Sequence, residues 1–140
     1  MNKFIGFIKG IENSIRNAKS FSEMRNCQFD TTELARSKFI EYLQHGVFLS
    51  GAMSYIYDDD KYPIGNLDYF TDGQYIWPRY YFYYLEKYTD FYIDKMLFEN
   101  AKKNDFKIPN IDSSGLKLLE QEFDYEWSAS YNKNSKEAGG

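Results

Sequence analysis

The stretch that decides the fold runs from Asp68 to Tyr88, DYFTDGQYIWPRYYFYYLEKY. Its first half reads as two strands, Leu67–Thr71 and Gln74–Trp77, flanking Asp72-Gly73. That dipeptide readily supplies the two positive φ angles of a type I′ hairpin turn. Pro78 then fits the first position of a helix, where its missing N–H costs nothing, and the helix runs to about Tyr88. A hairpin feeding a helix points to an α+β domain: N-terminal helices, a small antiparallel sheet containing the Asp72-Gly73 hairpin, and C-terminal helices packed on it.

Outward from this segment the same rules place the remaining elements. Phe4, Ile8, Ile11 and Ile15 recur at helical spacing, which predicts an amphipathic helix over residues 3 to about 18. Asp30-Thr31-Thr32-Glu33 resembles a capping box with the acid at the cap; it opens a second helix carrying Leu34, Phe39, Ile40 and Leu43 and stopping at Gly46. VFLSGAMSYIY (47–57) is rich in β-formers and predicts one or two strands with a bend near Ser50-Gly51. Asp58 to Pro63 is a loop. Thr89-Asp90 caps a further helix ending near Lys102-Lys103, and Leu116, Leu119 and Phe123 mark a last one after the Ile108-Pro109-Asn110 loop. Residues 1–127 are expected to form one globular domain and the polar stretch 128–140 a flexible tail.

At 140 residues the chain can bury a core without staples. Its aromatic share of 20% comes largely from 14 Tyr and 12 Phe, and tyrosine is the ring that tolerates half-burial, so some rings are expected to face a partner. Net charge is -4, with 10 Lys/Arg against 16 Asp/Glu after residue 45. That balance argues against a nucleic-acid binder, which needs a basic face, and suits a basic protein partner. No apolar run approaches the roughly 18 residues of a membrane span, and the N-terminus lacks a signal-peptide pattern. With a single cysteine, Cys27, the chain is expected to be cytoplasmic.

Catalytic chemistry finds little to stand on. His45, the one histidine, falls in the last turn of the second predicted helix, where an imidazole serves the terminal carbonyls. One His and one Cys do not make the usual zinc site, and no G-x-S-x-G elbow is present. Asp58-Asp59-Asp60 fails as an EF-hand because Pro63 stands where glycine is needed. No cofactor is expected and the chain is read as a non-enzyme. On a helix from Pro78, Tyr81, Tyr84, Leu85 and Tyr88 share a core stripe, while Tyr80, Tyr83 and Lys87 fall on a second face and Phe82 with Glu86 on a third. A surface helix cannot bury all of these, so one aromatic set is expected to be at least half exposed.

Phe70-Thr71-Asp72-Gly73-Gln74-Tyr75-Ile76-Trp77-Pro78, followed by Tyr83-Tyr84-Leu85-Glu86-Lys87-Tyr88, resembles a pattern in small bacterial immunity proteins of polymorphic toxin systems, including contact-dependent inhibition and Rhs-type toxins. The order of elements from about Val47 to Pro109 is similar too. Arg79 and Tyr80 depart from the pattern, which usually has an acid and a leucine there. The resemblance implies a cytoplasmic immunity protein that binds and neutralises a cognate toxin domain by occluding its active or substrate-binding surface. On that expectation Asp58, Asp59, Asp60 and Asp68 steer a basic toxin surface and Arg79, Tyr80 and Tyr83 contact it, with Trp77 and Tyr84 in the core. The chain would be a monomer or weak dimer. The alternatives are a small-ligand-binding or enzymatic domain with an aromatic pocket near Trp77 and Tyr75, and a structural adaptor or obligate dimer subunit.

Overall fold

The structure, a computed structural model, describes residues 2–11, 15 and 18–138, with side chains through Ser128. The elements in chain order are α1 (Phe21–Met24), α2 (Glu33–Gln44), β1 (Val47–Tyr57), β2 (Pro63–Thr71), β3 (Ile76–Pro78), α3 (Arg79–Lys87), α4 (Lys95–Lys103) and α5 (Ser113–Ala138). The arrangement is α+β, and the strands form one antiparallel sheet in the order β1-β2-β3.

Alternation along β2 assigns the two faces of this sheet. Phe70 pairs with Phe48 on one side and Trp77 on the other, and this face packs on α2 and α3: the Trp77 indole N–H donates to Leu43 O at 3.1 Å, and the Phe82 ring lies 5.8 Å from Phe70. Tyr69 points the opposite way, stacked on Phe7 at 5.9 Å and against Phe123 of α5 at 4.6 Å. Both faces are therefore covered at Tyr69 and Phe70. Gly46 lets α2 end hard against Trp77, since a Cβ there would sit 2.7 Å from the indole ring.

The β2–β3 connection is wider than the type I′ turn the sequence predicts. Thr71 pairs with Ile76, so four residues form the loop, and only Gly73 among them has positive φ, at 99°. Asp72 supplies the reason: its Oδ1 accepts from the amides of Gln74 (2.9 Å) and Tyr75 (2.8 Å), closing the loop through a side chain. Thr71 Oγ1 donates to Tyr75 O at 2.6 Å and accepts from Gly73 N. The other oxygen of Asp72 accepts from the Tyr42 hydroxyl of α2 at 2.7 Å and from Asn100 Nδ2 of α4 at 2.9 Å. Burial and the neighbouring Asp72 charge push the Tyr42 hydroxyl well above its ordinary pKa, so it stays a donor.

The predicted first helix is not formed over its described residues, and 12–14 and 16–17 lie outside them. Residues 2–11 run instead as an arm beside β3. Ile5 N donates to Ile76 O at 2.9 Å and Ile76 N to Lys3 O at 2.8 Å. Gly6 and Gly10, at φ 84° and 100°, break any helix here, and Gly6 lies so close to Tyr81 that a Cβ would fall 2.3 Å from its ring. The helix that does form nearby, α1, is opened by a reciprocal capping box between Ser20 and Glu23.

Other boundaries also shift, with β2 beginning at Pro63 rather than Leu67 and β3 at Ile76 rather than Gln74. Thr32, not Asp30, caps α2 by accepting from Ala35 N at 3.1 Å. Asp94, not Thr89-Asp90, caps α4, because Asp90 is taken by the Arg25 guanidinium and Asn26 N. Pro78 closes β3 and serves as the N-cap of α3 rather than its first residue.

Asp72 is almost fully buried, so Asp72→Ala leaves four donors from three segments without their acceptor. Buried orphaned donors cost about 1–3 kcal/mol each, not additively, and the expected loss in urea unfolding is about 3–5 kcal/mol. A loss below about 1 kcal/mol would show that the backbone alone holds this junction.

Candidate functional site

The β1–β2 hairpin and the end of α3 meet at the tip formed by Asp58 to Tyr62. Asp58 organises it from inside. Its amide donates to Tyr62 O at 2.7 Å, and its Oδ1 accepts from the amides of Asp60 (2.9 Å) and Tyr62 (2.8 Å). Its Oδ2 receives the Tyr83 hydroxyl at 2.6 Å and Lys87 Nζ at 3.0 Å, both from α3. The same ammonium reaches Asp59 at 2.8 Å and Asp60 at 2.6 Å, and the Tyr88 hydroxyl donates to Asp59. The Arg25 guanidinium lies over the Tyr88 ring at 3.6 Å.

Electrostatics follow from this geometry. Burial pushes the Asp58 carboxyl up, but the bonds from Tyr83, Lys87 and the two turn amides outweigh it and hold the carboxyl well below the usual range. Lys87 is likewise desolvated yet raised by its three carboxylates. The hydrogen bond to Asp58, then burial, pushes the Tyr83 hydroxyl up to about 12. The result is a latch that fixes the hairpin on α3.

This latch changes the roles expected of the acidic residues. The Asp58 side chain is only 1% exposed and cannot steer a partner; Asp60 is 59% exposed and Asp59 partly so. Asp68 is paired with Arg79 at 2.8 Å, and Arg79 also donates to Asn66 O, so both are tied to β2. Tyr80 has 0% exposure, and its hydroxyl accepts from Ile8 N at 3.0 Å; the expectation that it contacts a partner is corrected. Tyr81, Phe82, Tyr84 and Leu85 are buried with it, while Tyr83 is half-buried and spent on the latch. The helix was expected to lie at the surface, but α3 sits between α2 and β2, and neighbours on both sides enclose most of its rings.

Apart from Tyr125 of α5, the strongly exposed rings among the described residues are on the hairpin instead, together with Met53. Phe48, Met53, Tyr55, Tyr57 and Tyr62 are each more than half exposed. Phe48 opposes Phe70, Gly51 opposes Asp68 and Tyr55 opposes Asn66, so Phe48 and Tyr55 stand on the α3 side of the sheet. Tyr57 follows Tyr55 by two, their rings edge-on at 5.5 Å. No residue from Val47 to Tyr57 is charged, and β1 is an edge of the sheet. Sequence reading missed this surface because an uncharged β-rich run looks like core. The bend expected near Ser50-Gly51 is the one trace of it in the sequence, an interruption that breaks strict alternation.

The other expected centres are structural. His45 caps α2, its Nδ1 2.8 Å from Glu41 O, between two open grooves of about 520 Å³ walled by charged residues such as Lys38, Glu41 and Lys107 on one side and Glu33, Arg36 and Glu86 on the other. Trp77 and Tyr75 are fully enclosed, so their rings present no face to a ligand. Among the described residues no helix is long and apolar enough to cross a membrane.

Because its native pKa is depressed, Asp58 contributes stability that is present above the ordinary aspartate pKa of about 3.9 and lost as pH falls toward the native value. The urea midpoint is expected to drop below about pH 4, and Asp58→Asn should flatten that acid limb while lowering the midpoint at pH 7. An unchanged acid limb in the variant would remove Asp58 as its source.

No protein-family model, curated protein or solved structure matches this chain, so its function has to be read from its own residues.

Proposed function

We propose that this chain is a cytoplasmic immunity protein that binds a cognate bacterial toxin domain and blocks its active or substrate-binding surface, using the β1–β2 hairpin as its contact. The observation that carries the reading is the concentration of Phe48, Met53, Tyr55, Tyr57 and Tyr62 on one hairpin, exposed, while nearly every ring of α3 is inside. Tyrosines that are wet in the free protein are the usual anchors of protein interfaces, being large, stiff and able to keep a hydrogen bond. The resemblance of residues 70–88 to toxin-immunity proteins supplies the class of partner.

The latch supports binding through preorganisation. A free hairpin loses conformational freedom when it docks, whereas one already fixed by Asp58, Tyr83 and Lys87 has less to lose. Electrostatics are secondary. The tip holds Asp58, Asp59 and Asp60 against Lys61 and Lys87, and Glu86 adds another acid, so a modest negative surplus favours a basic partner surface. The mechanism is occlusion by a stiff aromatic edge with a weak acidic rim.

Co-expression with the polypeptide encoded immediately upstream tests the class of function. The expected result is toxicity of that polypeptide alone and rescue by this chain; a non-toxic product, or no rescue, rejects the immunity reading. Replacing Tyr55 and Tyr57 together with Ser should weaken binding about 30-fold or more, as hot-spot losses do, with the thermal midpoint nearly unchanged because both rings are exposed. Unaltered affinity in that variant would move the interface off the hairpin.

A further inference from the structure

Between Gly51, opposite Asp68, and Tyr55, opposite Asn66, strand β1 places three residues against the single Leu67 of β2. Met53 is the middle one. Its φ is 54°, in the left-handed region that costs a residue with a Cβ, and its side chain is wholly exposed. Gly51, Ala52 and Ser54 around it are small, so the thioether stands proud of the strand.

A bulge at this position has an ordinary use, since it interrupts an edge that could otherwise pair with another chain. That use accounts for the backbone but not for the residue. Gly or Asn would adopt the same φ with less strain, and Lys would guard the edge better. An unbranched apolar side chain is the choice that adds cost in both respects, strain and exposed apolar surface, unless something covers it.

We infer that Met53 is a specificity anchor that inserts into an apolar pocket on the partner, held out for that purpose by the bulge. The inference rests on the immunity reading above and deepens it. Met53 precedes the exposed Tyr55 and Tyr57 on the same strand, and a flexible, polarisable thioether suits a socket whose shape it must follow. Three aspartates share one Lys87 beside Lys61, and the exposed Glu86 adds a further acid, so the modest acidic surplus near the tip favours Lys or Arg around this socket on the partner.

The test uses the full chain and the purified polypeptide encoded immediately upstream, with affinity read by calorimetry and stability by thermal melting. Met53→Asn keeps a residue that tolerates positive φ; it should melt at the same temperature or a few degrees higher, yet bind about tenfold or more weakly. Met53→Leu should bind within about threefold of the parent chain. A loss of affinity without a loss of stability is the signature that a merely structural role cannot give. If Met53→Asn binds as tightly as the parent, the anchor is overturned and the immunity reading stands. If the parent chain does not bind that polypeptide, both fall. Self-association by sedimentation that vanishes in Met53→Asn would assign the socket to a second copy and overturn the partner named here.

Discussion

The buried carboxylate of Asp72 is the junction on which the fold depends. It closes the turn after β2 through two amides and ties that turn to α2 through Tyr42 and to α4 through Asn100. A carboxylate this enclosed is tolerable because each oxygen accepts two hydrogen bonds. Its position has consequences for everything downstream. The turn aims β3 so that Trp77 enters between Tyr42, Leu43 and Gly46, and Pro78 then starts α3 along β2 toward the hairpin tip.

Because α3 is launched from inside the molecule, it carries its aromatics between other elements rather than at the surface. This placement resolves what the sequence leaves ambiguous. PRYYFYYLEKY contains more rings than one helical stripe can hold, and counting faces on an isolated helix predicts an exposed set. The count was sound but its premise was not, for α3 is flanked by α2 and β2 and also touched by the arm at Gly6. Tyrosine serves this crowded site because its hydroxyl can still be satisfied: Tyr80 accepts from Ile8 N, Tyr81 donates to Tyr92 O, and Tyr83 donates to Asp58.

Legibility therefore divided along the range of the interactions. The class, the strand pair around Asp72-Gly73, the extent of α3, and the core residues Phe39, Leu43, Leu119 and Phe123 could all be read locally, from periodicity and turn chemistry. The first helix failed because Phe4, Ile8, Ile11 and Ile15 mimic a helical stripe, while Gly6 and Gly10 and a bridge to Ile76, 72 residues away from Phe4, decide otherwise. Asp90 looked like a cap and became a partner for Arg25, a contact across 65 residues. The Ser20–Glu23 box was a local signal left unread. In the candidate site, Asp58 to Asp60 and Tyr83 do come together, but around Lys87 and for the protein's own use.

The latch and the exposed hairpin then make sense as one device rather than two. An aromatic edge that is uncharged over eleven residues invites non-specific pairing, and a loose one would dock slowly and at an entropic cost. Fixing its tip to α3 through Lys87 answers the second problem, and interrupting its ladder at Met53 answers the first. The latch spends groups that the sequence alone would assign to recognition, the three aspartates and Tyr83. On the proposed reading the contact is the apolar surface that the latch holds in place, with Asp60 at its rim: a stiff hairpin, two adjacent tyrosines, and a methionine on the outside of a bulge.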